Sequence, residues 1–317
     1  MVTGVGGNVG QGILRNIRWR FPDLRIVATD VHAITAGHHF SDAFHQVPYA
    51  VADGYFDRIQ RICADEDVAL ILPSTDYEVH VLGRQLAGLP PVLCSPASTT
   101  AACLDKWKTW QALKDTDAGF VETVLPRDYR GEWKEALVKP REGRGSRGVV
   151  INPVDPASFD DSFIVQRLLR GREITAAFYV TKTGRMLGPI TFMRLLQHGM
   201  TERCEVVFDY DEQLRAKMRA LAAAMDVRGP VNLQAIVEDD GNVVLFEVNC
   251  RYSGTNSIRA RLGFEDVKYG IEEYLYGIAP EPGPITGGSA IRIMMDLVYP
   301  GVGLAEIRPG GHRSFLT

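Results

Sequence analysis

A carboxylate, an amide and a guanidinium alternate with other residues in Glu247-Val248-Asn249-Cys250-Arg251. On an extended strand, alternate residues share a face. A preceding apolar run, Val231-Asn232-Leu233-Gln234-Ala235-Ile236-Val237, carries another amide, and Asp239-Asp240-Gly241-Asn242 between the runs is a hairpin signal. Folding that hairpin brings Gln234, Glu247 and Asn249 onto one face. Three hard oxygen donors suit Mg²⁺, or Mn²⁺ in its place, with waters and substrate phosphates completing the shell. Arg251 extends the face with a planar cation suited to phosphate or carboxylate. The same alternation also describes the solvated face of an ordinary antiparallel strand, so the remaining motifs decide its meaning.

The next such motif follows the apolar run Ala136-Leu137-Val138-Lys139-Pro140. It reads Arg141-Glu142-Gly143-Arg144-Gly145-Ser146-Arg147-Gly148. Glycines let backbone approach a polyphosphate and aim N–H groups at it. Arg144 and Arg147 add charge, and Lys139 enters at the strand's end. The alternative is a flexible basic hairpin loop on the surface.

These residues need elements to position them. The first region alternates helices (about 11–20, 55–64 and 77–86) with apolar runs (24–29, 68–73 and 91–94), which implies a parallel sheet covered by helices. Its glycine loop, Gly4 to Gly10, is not a dinucleotide fingerprint, because Val9 stands where the third glycine or alanine belongs. Pro73-Ser74-Thr75-Asp76-Tyr77-Glu78 follows a strand end, where open α/β sheets place ligand groups. It reads equally as a helix N-cap. A long helix is expected from Ser98 to about Lys114, then a strand near 120–125, a helix near 131–136 and strands 136–140, 149–151 and 163–166. The last region has expected strands at 174–180 and 188–192, a helix at 211–225, the hairpin, and a strand from 290.

The 317 residues allow two or three compact units, and 45% hydrophobic with 23% charged residues is ordinary for a soluble globular chain. A net charge of −4 and a pI near 6.0 give no footprint for nucleic acid or an anionic membrane. No apolar run approaches a membrane span. The N-terminus has no secretory pattern, although the short first strand suggests a native start upstream of Met1. Five cysteines without a CxxC point to reduced thiols in a cytoplasm.

In this order the motifs resemble the ATP-grasp superfamily, particularly the carboxyphosphate- and acylphosphate-forming branch related to the carbamoyl-phosphate synthetase large subunit. The resemblance implies a mixed α/β and α+β ATP-grasp fold. Residues 1–97 would form a Rossmann-like parallel-sheet domain, 98–165 a small lid domain and 166–317 the C-terminal grasp domain. Lys106 and Lys139 would hold ATP phosphates beneath a lid loop comprising Gly143, Arg144, Gly145, Ser146 and Gly148. Gln166 and the Leu168 backbone would read adenine, and Glu173 the ribose hydroxyls. Glu247 and Asn249, with Gln234, would bind magnesium. Arg251 would stabilise the transferred phosphoryl group, with Lys139 assisting. Cys250 departs from the proline often found there. The segment 252–256 would shape an acceptor pocket, with Asp76, Glu78, Arg194, Arg203, Glu205, Ser253, Asn256 and Arg259 as candidate contacts.

The resemblance implies an ADP-forming ligase that joins a small carboxylate to an amine or ammonia, with a homodimer as the expected assembly. An ATP-binding regulatory protein, or a kinase or carboxylase with another acceptor, is the alternative.

Overall fold

The computed structural model describes residues 1–310 except Arg144, Ser146, His198 and Met294. The first region is the expected parallel layer. Strand β1 (Val27–Asp30) pairs with β2 (Ala43–Gln46) in parallel, and parallel bridges join Val2 to Ala28 and Leu72, and Ile71 to Val92. Helices α1 (Asn8–Arg20), α2 (Gly37–Phe40), α3 (Tyr55–Asp65) and α4 (Asp76–Arg84) flank this layer. The period of two is visible in its two cores. Ile26, Ala28, Leu70 and Leu72 pack with α1, whereas Val27 and Ile71 pack with α3 and α4.

Helices α5 (Ala97–Leu104) and α6 (Lys106–Leu113) replace the single long helix expected over 98–114. Asp105 breaks it. Its backbone is extended, and its carboxylate accepts from the Trp107 and Lys108 amides, restarting the helix as an N-cap. Cys103, Leu113, Ala118 and Phe120 belong to the core of the large sheet, so the first part of the segment expected as lid packs with the grasp region.

The rest of the segment expected as lid contains a four-stranded sheet in the order β3 (Thr123–Val124), β6 (Phe163–Arg167), β4 (Ala136–Pro140), β5 (Val150–Ile151). No helix forms at the expected 131–136. Gly131 there has a left-handed backbone, and a 3₁₀ turn at Pro126–Asp128 precedes it.

The large sheet runs β11 (Val243–Asn249), β10 (Gly229–Val237), β7 (Arg172–Val180), β8 (Met186–Gln197), β9 (Met200–Val206), β12 (Ser289–Ile291). Helix α7 (Asp211–Ala224) buries Leu214, Met218 and Leu221 in its core. Strand β9 and helices α8 (Asn256–Arg261) and α9 (Asp266–Tyr274) are absent from the sequence reading. The two helices dock the end of the grasp region onto the first domain: Val267, Ile271 and Tyr252 share a core with α1.

Arg259, at the centre of that junction, is fully buried and paired with the equally buried Asp266. Removing one partner of a buried ion pair strands the other charge. Arg259→Met is therefore expected to cost about 3–5 kcal/mol of stability, read as a lower denaturant midpoint.

Candidate active site

The β10–β11 hairpin closes as expected, with Gly241 in the left-handed turn and Gln234 directly opposite Glu247. Above it the lid strand β4 delivers Lys139, and the start of α6 delivers Lys106. Both lysines are buried, at 7% and 8% exposure. They line, with Glu247, one cavity of about 260 Å³. Lys139 donates to the Phe246 carbonyl at 3.2 Å, and Lys106 to the Gly143 carbonyl at 3.3 Å. Burial lowers the Lys139 pKa to about 8; Glu247 raises it and Lys106 lowers it. These lysines have hydrogen bonds to carbonyls but no carboxylate in an ion pair among the described residues. Desolvated cations of this kind suit a polyanion arriving from solvent.

The far wall is apolar. Leu137, Leu168, Leu169, Leu196, Ile236 and Phe246 form a slot beside Gln166, whose Nε2 donates to Thr123 Oγ1 at 2.9 Å. The Leu168 N–H is already bonded to the Glu135 carbonyl at 3.1 Å, so this amide is not free to read a base. Gly143 and Gly145 line the cavity, and Gly145 approaches the β8–β9 turn at Gly199. Gly148 packs on Pro140, while Arg144 and Ser146 lie outside the described residues.

A chain of polar side chains runs through the site. The Arg194 guanidinium donates to Glu173 Oε1 at 2.5 and 3.1 Å and to Gln234 Oε1 at 2.8 Å. Gln234 Nε2 donates to Glu247 Oε1 at 3.3 Å, and Asn249 Nδ2 donates to the same oxygen at 3.0 Å. Arg251 donates to Asn249 Oδ1 at 3.2 Å and pairs with Asp76 at 2.8 Å. Glu173, Gln234, Glu247, Asn249 and Arg251 are thus brought together as the sequence suggests. Arg194 is placed differently. It lines the cavity beside Glu173, having been expected as an acceptor contact. The signal was present in Arg194 and Leu196, which share one face of β8, but strand pairing was needed to show which cavity they reach.

Beside the cavity lies a small recess lined by Asp76, Tyr77, Cys103, Lys106, Glu247 and Asn249. Glu247 borders both spaces. Asp76 comes from the first domain, at the start of α4, so the helix-cap segment does contribute a site residue. Glu78 does not. It is buried and completes a capping box with Thr75. Cys250 is buried against Cys103, with the sulfurs 2.7 Å apart; this contact occupies the position of the expected proline.

The other proposed acceptor contacts do not reach the recess. Arg259 Nη1 donates to Ser253 Oγ at 2.6 Å and to Thr255 Oγ1 at 3.2 Å. Asn256 donates to the Val9 carbonyl at 3.0 Å and accepts from Asn16 at 3.2 Å, tying α8 to α1. These bonds make Ser253, Asn256 and Arg259 parts of the domain junction. Glu205 and Arg203 are exposed on β9, opposite β12.

Residues 2–87 match the family described as PylC-like, N-terminal domain, and residues 103–255 match an ATP-grasp domain. No curated protein matches the sequence. Among solved structures, the chain resembles N5-carboxyaminoimidazole synthetase from Staphylococcus aureus complexed with ADP. The TM-score is 0.73 at 11% identity, over 90% of this chain and 78% of that one. It also resembles the carboxyaminoimidazole ribonucleotide synthase of Aspergillus clavatus complexed with ATP, with a TM-score of 0.71 at 13% identity over 89% and 77% of the chains. Biotin carboxylase from Campylobacter jejuni, in a β,γ-ATP complex, gives 0.71 at 12% identity over 88% and 71%. The chain thus carries an ATP-grasp domain over residues 103–255, preceded by a PylC-like N-terminal domain over residues 2–87.

Proposed function

We propose that the protein is an ADP-forming ligase that activates a small-molecule carboxylate as an acyl phosphate and joins it to an amine or ammonia. One observation carries this reading: Glu247 borders both the lysine-lined cavity and a recess closed by Asp76 from the other domain. A nucleotide held in the cavity would present its terminal phosphate to an acceptor in the recess.

The apolar slot takes the adenine and Glu173 the ribose. Lys106 and Lys139 hold the phosphates, whose negative charge repays the desolvation of both ammonium groups. The donor set fits a hard divalent cation. The second Glu247 carboxylate oxygen, Oε2, has no hydrogen bond among the described residues, and Asn249 supplies a neutral oxygen beside it. Mg²⁺ bound there, or Mn²⁺ in its place, would neutralise phosphate charge during transfer.

Arg251 acts from the recess side. An incoming carboxylate would take over the bond that Arg251 now makes with Asp76, placing its nucleophilic oxygen in line with the terminal phosphate. Transfer leaves ADP and an acyl phosphate, and the amine then displaces phosphate from the acyl carbon. The lid loop excludes water from that intermediate. Among the described residues no helix is long and apolar enough to cross a membrane, and we place the enzyme in a cytoplasm as a homodimer.

The test is release of ADP and phosphate from Mg-ATP across small carboxylates, each with and without an amine. Turnover that needs both co-substrates supports the ligase; nucleotide binding without stimulated turnover on any carboxylate supports an ATP-binding regulator.

The Lys139 pKa of about 8 adds a pH prediction. The protonated form attracts phosphate, so the affinity of a non-hydrolysable ATP analogue should fall as pH rises through that value. Lys139→Arg, which stays charged, should flatten the profile. Calorimetric titrations at intervals across that range check this, and equal slopes for both proteins would count against the assignment of Lys139.

A further inference from the structure

We propose that Asp105 and Arg141 are positioning residues: their ion pair sets the spacing of Lys106 and Lys139, so that both ammonium groups meet the phosphates of one nucleotide. The inference rests on the ATP reading above and extends it to two residues that line neither the cavity nor the recess.

The two lysines come from separate parts of the molecule. Lys106 opens α6, whose Leu113 lies in the core of the large sheet. Lys139 lies on β4, in the four-stranded sheet. Left untethered, their distance would follow every movement of one sheet against the other. The ion pair joins the two parts beside the lysines themselves. Asp105 immediately precedes Lys106, and only Pro140 separates Lys139 from Arg141. The proline ring fixes one torsion of that short connection.

The contact is two-pronged. Arg141 Nε donates to Asp105 Oδ1 at 3.1 Å, and Nη2 to Oδ2 at 2.5 Å. Such a fork fixes orientation as well as distance. The remaining nitrogen, Nη1, donates to the Asp161 carbonyl at 3.1 Å, and the Arg141 amide to the Ser162 carbonyl at 2.8 Å. Arg141 is thereby anchored to the chain leading into β6. From the other side, the Lys106 amide donates to the Arg141 carbonyl at 3.0 Å. Asp105 is 4% exposed, and a carboxylate so buried is costly to leave without its partner.

The clamp also has a force to oppose. Both lysines are buried, and Lys106 lies near enough to lower the Lys139 pKa. Holding two like charges together in the folded chain prepares the site for a polyphosphate, which then binds with less rearrangement. Capping of α6 does not account for the arginine. The Trp107 and Lys108 amides use Oδ1 alone, which leaves Oδ2 to Arg141.

Asp105→Asn separates the cap from the ion pair, because asparagine is an equally good N-cap but carries no charge. Arg141→Gln removes the other partner, whose side chain is 26% exposed, and carries the test if the first variant does not fold. The intact chain is titrated calorimetrically with the magnesium complex of a non-hydrolysable ATP analogue, and separately with adenosine. Each single variant should bind the analogue about tenfold more weakly, the scale of residues coupled in one network. Adenosine, which has no phosphates, should bind each variant as it binds wild type. The double variant should lose no more than either single one, since both substitutions remove the same clamp. Circular dichroism and the denaturant midpoint establish folding. A lower midpoint with unchanged analogue affinity would overturn the inference and leave the pair a structural contact. Equal losses for analogue and adenosine, or losses that add in the double variant, would also overturn it. Failure of wild type to bind the analogue would overturn the ATP reading, and the inference with it.

Discussion

Arg251→Met should lower kcat for carboxylate-stimulated ADP release by about 10³-fold, the low end of what an arginine at a transferring phosphoryl group contributes. Its effect on nucleotide affinity should be small. Arg251 lines neither the nucleotide cavity nor the recess; it is held by the Tyr252 carbonyl and by two residues that line the recess, Asn249 and Asp76. A cation on the recess side acts on charge that develops during transfer, so its loss falls on the chemical step. Asp76→Asn separates this role from a purely structural one, since it frees the guanidinium without removing it. Its expected signature is a changed KM for the carboxylate with much of kcat retained. Steady-state kinetics with the carboxylate and ATP varied separately distinguish these results. A loss confined to ATP affinity in Arg251→Met would show that the arginine belongs to the other side of the site.

Glu247→Gln should lower turnover by about 10²- to 10³-fold, the scale of losing one electrostatic contributor to a transition state. It should also raise the metal concentration needed for half-maximal rate. The substitution keeps the shape of the side chain and removes its charge. Because Glu247 opposes the burial that depresses Lys139, the same change should move the lysine's titration to lower pH. The alkaline limb of ATP-analogue binding should then shift in the acid direction. Coincidence of all three effects identifies Glu247 as the link between metal and phosphate. An unchanged metal requirement with reduced turnover would remove it from the metal site.

The hairpin carrying this chemistry was legible in the sequence because strand periodicity and turn chemistry are local. Asp239 to Asn242 can turn, and Glu247 and Asn249 must then share a face. The strand delivering Lys139 was legible for the same reason. The break at Asp105 was not, although its cap is local, because the carboxylate is also bonded by a partner far along the chain. Arg141 Nη2 reaches Asp105 Oδ2 at 2.5 Å and holds the start of α6 against the end of β4. Apolar spacing on either side of Asp105 gives no sign of that contact.

Arginine was the residue type most often misplaced. Arg259 lies in a short polar stretch that reads as surface, yet α9 brings Asp266 over it and closes both from solvent. Arg194 can be assigned to the correct cavity only when β8, β7 and β10 are known to be neighbours. Helix α8 was missed because six residues are too few for periodicity to distinguish it from loop, and α9, as long as α4, lacks the side-chain cap that marks the start of α4. Their stability comes from docking on α1 and the strands of the first domain, a tertiary contribution with no local signature.

The central claim is that one chain couples ATP cleavage to activation of a carboxylate across the boundary at Glu247. Its most direct test uses ¹⁸O-labelled carboxylates with Mg-ATP and an amine, followed by mass measurement of the released phosphate. The account predicts that one ¹⁸O atom passes from a carboxylate substrate into phosphate in each turnover, and that Glu247→Gln reduces this release with the overall rate. Carboxylate- and amine-dependent turnover that releases only unlabelled phosphate would contradict the acyl-phosphate route, whatever the protein's affinity for ATP.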